Sequence, residues 1–330
     1  MRSDITVGTT FPDHELPDHT GTPRRLSRIQ SSWTGERDTT RPHVRAWLSE
    51  FAGTTILLFA VALVARWLGG PHSALAAAVP AAPGRAAITG VVIGAVVGLL
   101  IISPLGRSSG GHFNPAVTVT FWRLRALPGR DAIAYVAAQL AGSLAGVALG
   151  WAVLGAAFAD PPVAYAAIQP AAGWSGTAVF FGEAISIVVL MAFVVAFMDR
   201  PALARWTPAV VAAAIAVLIF AGGLTSGGSF NPARQLGPLL FAGRFADLWA
   251  YMLGPLAGAG ILAVIAGVVR LPRPLTCSLC GTPPRAAAPE PAEDLARTRP
   301  GSGAAMLPGV GELPGAAPGR RGQREPAGNR

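Results

Sequence analysis

Lysine is absent from the 330 residues of this chain: all 26 basic side chains are arginines, set against 17 acids for a net charge of +9. Exclusive use of arginine reads as genome base composition. A basic balance suggests nucleic acid as a partner, but the chain has no basic stripe with interleaved aromatics, and that class of surface is excluded. Cysteine is scarce too. Both cysteines sit in Cys277-Ser278-Leu279-Cys280, which rules out a disulfide framework and supplies at most half of a four-ligand zinc site. Free or lipidated thiols are expected there, and no metal or cofactor. The first 43 residues hold no apolar run, so no cleavable leader is expected.

Charge of either sign is thin, at 13% of residues, while 52% are hydrophobic and the mean hydropathy is +0.47, values foreign to a soluble domain. The scarcity is local. Residues 46–270 carry 17 charges in 225 positions, and the flanking tails carry the other 26 in 105. Six segments, about 46–68, 86–105, 132–156, 176–198, 207–224 and 246–269, have the length and apolarity of spanning helices, which need roughly 20 residues. The expected class is an all-α membrane protein. Two more apolar stretches, 114–122 and 231–242, are too short: nine residues rise only about 13 Å, enough to enter a bilayer but not to cross it.

Arginine placement orients the bundle, because loops rich in basic residues stay cytoplasmic. Arg107, Arg123, Arg125 and Arg130 lie between the second and third segments, Arg200 and Arg205 between the fourth and fifth, and seven more precede the first. The loop at 157–175 has no arginine and that at 69–85 has only Arg85, which fits the outside. Both termini of a multi-pass cell-membrane protein are then cytoplasmic. Residues 1–43 and 271–330, rich in Pro, Gly, Ala and Arg, are expected to be disordered tails around a folded domain at 44–270. Trp47, Trp67, Trp122, Trp151, Trp206 and Trp249 fall near predicted helix ends, where interfacial anchors belong.

The strongest signal is internal. Ser109-Gly110-Gly111-His112-Phe113-Asn114-Pro115-Ala116 recurs as Ser226-Gly227-Gly228-Ser229-Phe230-Asn231-Pro232-Ala233, seven identities in eight positions at a separation of 117. Each copy follows the second long helix of its half, giving repeats at about 44–156 and 175–270. Three crossings per repeat is an odd number, so the second repeat enters from the opposite face, an inverted arrangement that places a site at the midplane. Non-helical backbone at that depth must line a cavity. Gly110, Gly111, Gly227 and Gly228 permit the loop conformations this needs, and Asn114-Pro115 and Asn231-Pro232 read as caps of two half-helices. An Asn whose oxygen caps its own helix holds its amide N–H2 as a fixed donor. Two such donors, two helix N-termini of about half a positive charge each, and exposed loop carbonyls would favour neutral hydroxyl compounds and water over cations.

These residues resemble the major intrinsic protein family, the aquaporins and glycerol facilitators, over about residues 44–270. The resemblance implies a six-helix bundle with two re-entrant half-helices, assembled as a homotetramer with a pore in each protomer. It implies that Arg234, three residues beyond Asn231, forms the narrowest constriction, and that Glu50 and Glu183, early in the first and fourth helices, accept bonds from the re-entrant loops. The other filter positions by the same likeness are Ile219, Gly228 and, on the second helix, Gly94 by ungapped counting or Ile93 if the Pro104 region carries one extra residue. Gln235 follows Arg234 where glycerol facilitators have Asp. The Ser-Gly-Gly form of the second loop looks closer to nodulin-like and tonoplast-type members, so water plus small neutral solutes such as glycerol or urea is the expected cargo. His112 and Ser229 hold matching loop positions, and for His112 both a structural hydrogen bond and a pH-dependent gate fit a neutral imidazole.

Competing classes lack the residues they need. An ion-coupled transporter requires a charged relay at the midplane, and only the two glutamates qualify. An enzyme requires a nucleophile, a metal cluster or an acid/base pair, and residues 46–270 offer no such constellation. A non-conducting scaffold would keep the same motifs.

Overall fold

The computed structural model describes residues 43–269; the expectations for the two tails, Cys277 and Cys280 included, lie outside the described residues. Helix α1 spans Val44–Gly69, α2 Ala82–Ile102, the short α3 Pro115–Arg123 and α4 Gly129–Leu154. The second half repeats the order with α5 at Gly176–Met198, α6 at Thr207–Gly222, the short α7 at Pro232–Ala242 and α8 at Leu248–Val269. Among the described residues five helices are long and apolar enough to cross a membrane. The sixth expected span, α6, is helical for only 16 residues, a rise of about 24 Å. Its C-terminal end is set by Gly222-Gly223, from which the chain turns into the second Ser-Gly-Gly loop.

Within each repeat the first and last helices pack together, α1 on α4 and α5 on α8, while α2 packs on α6 across the pseudo-two-fold. Between apolar helices in lipid there is no hydrophobic drive to associate, so close backbone approach through small residues has to supply the contact. Glycines four residues apart do this at all three pairs. A Cβ added to Gly90 or Gly94 of α2 would lie 2.4 or 2.3 Å from the carbonyl oxygens of Ala216 and Ala212 on α6. Gly142 and Gly146 of α4 meet the carbonyls of Phe51 and Thr55 on α1, each at 2.6 Å by the same measure. Gly258 of α8 meets that of Ala184 on α5 at 2.3 Å.

The half-helices tie the repeats together, since α3 and α7 each pack on both α4 and α8. Large apolar side chains such as Leu99, Ile133, Ile185 and Val268 point outward, as lipid-facing surface requires. Five of the six tryptophans also stand exposed, but Trp47 is half-buried and donates its indole N–H to the buried Asp131 at 2.9 Å. Trp47 thus also acts as an interhelical clasp, with His43 on the other oxygen of Asp131 at 3.0 Å.

Candidate functional site

Asn114 and Asn231 are the N-caps of α3 and α7, each followed by proline at the first helical position. The Asn114 Oδ1 accepts the Ala116 N–H at 2.8 Å, and the Asn231 Oδ1 accepts those of Ala233 and Arg234 at 3.0 and 3.3 Å. With their oxygens so engaged, the amide nitrogens cross between repeats. Asn114 Nδ2 donates to the Phe230 carbonyl at 3.0 Å, and Asn231 Nδ2 donates to the Phe113 carbonyl at 2.9 Å. Each NH2 has a second hydrogen, and both asparagines line a cavity.

The loops before the caps share one conformation. Gly110 and Gly227 both have φ +95°, Gly111 and Gly228 have +67° and +66°, and Phe113 and Phe230 have +45° and +34°. A buried glutamate holds each loop. Glu50 accepts the Ser109 hydroxyl at 2.6 Å, the His112 and Phe113 backbone N–H groups at 3.0 and 2.6 Å, and the Gln139 amide at 2.7 Å. Glu183 accepts the Ser226 hydroxyl at 2.8 Å, the Ser229 N–H at 3.2 Å and the Phe230 N–H. Both carboxylates are fully buried, and three or four donors apiece offset the desolvation of a charge. A tyrosine completes each loop: Tyr135 donates to the Ser109 carbonyl at 2.7 Å and Tyr251 to that of Ser226 at 2.5 Å. Neither tyrosine, nor Gln139, was picked out from sequence, although the tyrosines keep the repeat offset to within one residue and that signal was available.

The cavity has a volume of about 580 Å³ and runs beside both half-helix N-termini. Its wall is two-faced. The helices supply apolar stripes at four-residue spacing, Thr89, Ile93, Val97 and Ile101 on α2 and Thr207, Val211, Ile215 and Ile219 on α6, which carry it along most of each helix. The polar face comes from Gly110 to Asn114, Gly227 to Asn231, and Arg234. Ser229 donates to the Asn231 carbonyl at 3.2 Å. His112 lies buried in the wall, its Nδ1 at 3.1 Å from the Thr118 hydroxyl and its ring stacked on Phe121 at 4.8 Å.

The two alternatives for the second-helix position separate here. Gly94 faces away from the cavity into the α2–α6 contact, where a side chain would strike Ala212, and Ile93 is the residue that lines the cavity. The α2 helix ends at Ile102 and a separate short helix, Pro104–Ser109, capped by Ser103, leads into the loop; that break shifts ungapped counting by one residue.

Arg234 is half-buried on α7 and lines the cavity beside the loop between α4 and α5, the outer loop of the expected orientation. Its Nη1 donates to the Ala166 carbonyl at 3.0 Å and to the Gln235 Oε1 at 2.9 Å. The same loop covers Gly227, where an added Cβ would lie 1.8 Å from Ile168 Cγ2. Ile219 and Gly228 line the cavity as well, Gly228 packed so close to α6 that a Cβ would sit 3.2 Å from Ile219 Cα.

Comparison with known proteins agrees with this geometry. A family model described as major intrinsic protein matches residues 38–266. The chain is 34% identical over 227 residues to Aquaporin NIP3-1 of Zea mays, covering 68% of this chain and 69% of that protein. It is 31% identical over 263 residues to the lens fiber major intrinsic protein of Gallus gallus, covering 76% of this chain and 94% of that protein. Among solved structures, the aquaglyceroporin from Plasmodium falciparum superposes with a TM-score of 0.58 over 70% of this chain and 98% of that one, at 19% identity.

Proposed function

The chain belongs to the major intrinsic protein family, whose members are membrane channels for water or small solutes and not enzymes, and on that premise we propose how this member selects what it carries. It is a passive pore for water and small neutral solutes, glycerol- or urea-like, that excludes protons and ions through the paired Asn-Pro-Ala half-helices and a constriction at Arg234. The observation that carries this reading is the reciprocal pair of cross-repeat bonds, Asn114 to Phe230 and Asn231 to Phe113, beside a continuous cavity.

The argument is electrostatic. Each asparagine spends its oxygen on its own helix and one amide hydrogen on the opposite loop, which leaves the other as a fixed donor to a permeant oxygen. A water held by two such donors turns its lone pairs toward both, which breaks a hydrogen-bonded chain of waters running through it. Two helix N-termini of about half a positive charge each raise the energy of any cation there, in a medium that screens poorly. Arg234 adds a full charge on the outer side. Apolar stripes on α2 and α6 give solute carbon a wall that costs nothing to dehydrate, so small polyols and ureas suit the path. Arginine-rich loops support cytoplasmic termini, and the exposed apolar helix faces accommodate lipid and the neighbours of a homotetramer.

Stopped-flow light scattering of proteoliposomes under sorbitol, glycerol and urea gradients tests the proposal. Faster water efflux than from empty liposomes, faster glycerol or urea entry, and no current under voltage are the expected results. Permeability at the lipid level for every solute would overturn the channel reading, and a proton or sodium current would overturn the exclusion argument. Arg234→Ala should raise solute or ion leak; unchanged selectivity would remove Arg234 from the constriction.

A further inference from the structure

Gln235 is fully buried and absent from the cavity wall, yet it touches both partners that meet there. Its Oε1 accepts Arg234 Nη1 at 2.9 Å and its Nε2 donates to the Ile168 carbonyl at 3.0 Å. The same Nη1 donates to the Ala166 carbonyl at 3.0 Å. Amide, guanidinium and two outer-loop carbonyls are thus joined in one connected set of three hydrogen bonds. Both hydrogens of Nη1 are used, so the guanidinium is fixed by one edge and the rest of its fork is left for the lumen.

The loop on the other side of this set is held under tension. Ala164, Tyr165 and Ala166 have φ of +42°, +58° and +59°, three consecutive non-glycine residues in the left-handed region. Such backbone persists only where its surroundings over-determine it. Here the Tyr165 ring lies 5.6 Å from Phe158 and 5.6 Å from Phe241 of α7, and the carbonyls that the turn presents are bonded by Arg234 and Gln235.

We propose that Gln235 is a positioning residue that locks the Arg234 guanidinium to the outer loop and so sets the largest solute the pore admits. This rests on the channel reading above. Without the amide, Arg234 keeps a single outer-loop acceptor and recovers side-chain freedom, and Ile168 loses its tie to α7; the gap between arginine and loop then fluctuates wider. A neutral amide also leaves the arginine charge without an adjacent carboxylate, which preserves the repulsion of cations.

The test uses full-length protein in proteoliposomes and reads the ratio of polyol to water permeability for wild type, Gln235→Met, Gln235→Ala and Gln235→Glu, with glycerol and the four-carbon polyol erythritol as probes. Methionine keeps the length and packing but no polar atom, so it separates lost bonding from lost volume. Gln235→Met and Gln235→Ala should raise the erythritol-to-water ratio on the order of tenfold, the effect of losing one hydrogen bond to a charged group. Gln235→Glu, which keeps the acceptor for Arg234 but loses the donor to the Ile168 carbonyl, should fall between wild type and methionine. A folded Gln235→Met with the wild-type ratio would overturn the proposal alone, as would Gln235→Glu opening as far as methionine does. Wild-type protein that conducts nothing would overturn the channel reading and this inference with it.

Discussion

The Ser143 hydroxyl of α4 accepts the backbone N–H of Gly237 at 2.9 Å and donates to the carbonyl of Ala233, so it bridges the two groups of α7 that α-helical bonding would join. Helix α7 needs that help. Pro238 removes the bond its own position would make to Arg234, and Gly237 lies so close to α4 that an added Cβ would fall 2.6 Å from Ser143 Oγ. The matching half-helix α3 is braced from within instead, by Thr120 bonding the Ala116 carbonyl at 2.9 Å.

Ser143→Ala therefore removes the only side chain bridging this turn among the described residues, at a fully buried site. Interhelical side-chain bonds in membranes are worth about 1 kcal/mol, and a loss of that order is expected in an SDS-unfolding titration followed by tryptophan fluorescence. Stability equal to wild type would show that α7 closes its own ladder without α4.

Glu50 and Glu183 are predicted to be far less tolerant. Replacing either by Gln puts an NH2 group where an oxygen now accepts buried donors, and each such bond to a charged acceptor is worth roughly 1.5–3 kcal/mol. Glu50→Gln and Glu183→Gln should each lower the yield of folded protein in detergent severalfold, measured by size-exclusion chromatography. Normal yield from either would mean that the loop holds its shape without the carboxylate.

How much of this was legible in sequence depends on which atoms do the work. The half-helices and the Asn–Asn meeting point were readable because the repeat is written in side chains, and Glu50 and Glu183 because they fall at equivalent places in the two halves where the family resemblance implies loop-holding acids. The outer loop was not readable, since Ala166 and Ile168 contribute backbone carbonyls aimed by left-handed turns, and no residue type announces that. Gln235 was visible only as a departure from glycerol facilitators; its bond to Ile168 requires knowing where the loop lies. The Gly-x-x-x-Gly pairs at Gly90/Gly94 and Gly142/Gly146 were a signal left unread, and reading them as helix contacts would have favoured Ile93 over Gly94 between the two alternatives.

The choice between those alternatives has opposite consequences for two adjacent residues. Ile93→Ala removes bulk from the cavity wall and should raise glycerol permeability relative to water while the protein folds normally. Gly94→Val drives a branched side chain into the Ala212 carbonyl and should cut the folded yield. The two variants, compared by folded yield and glycerol influx, decide the matter: a folded, more permeable Gly94→Val would restore Gly94 to the pore.

Asn114→Asp tests ion exclusion at its source. The carboxylate can still cap α3 by accepting the Ala116 N–H, so the half-helix keeps its start. What it loses is the donor to the Phe230 carbonyl, and what it gains is a negative charge between two half-helix N-termini, where it cancels much of their combined positive potential. A permeating cation then meets an acceptor instead of a barrier. Sodium or proton current should appear in planar bilayers bearing Asn114→Asp, with the reversal potential following the cation gradient and water permeability reduced. Asn231→Asp should behave alike, because its amide makes the reciprocal bond to Phe113, though Arg234 nearby retains part of the block. If both variants stay electrically silent while still passing water, exclusion resides at Arg234 and not at the paired asparagines.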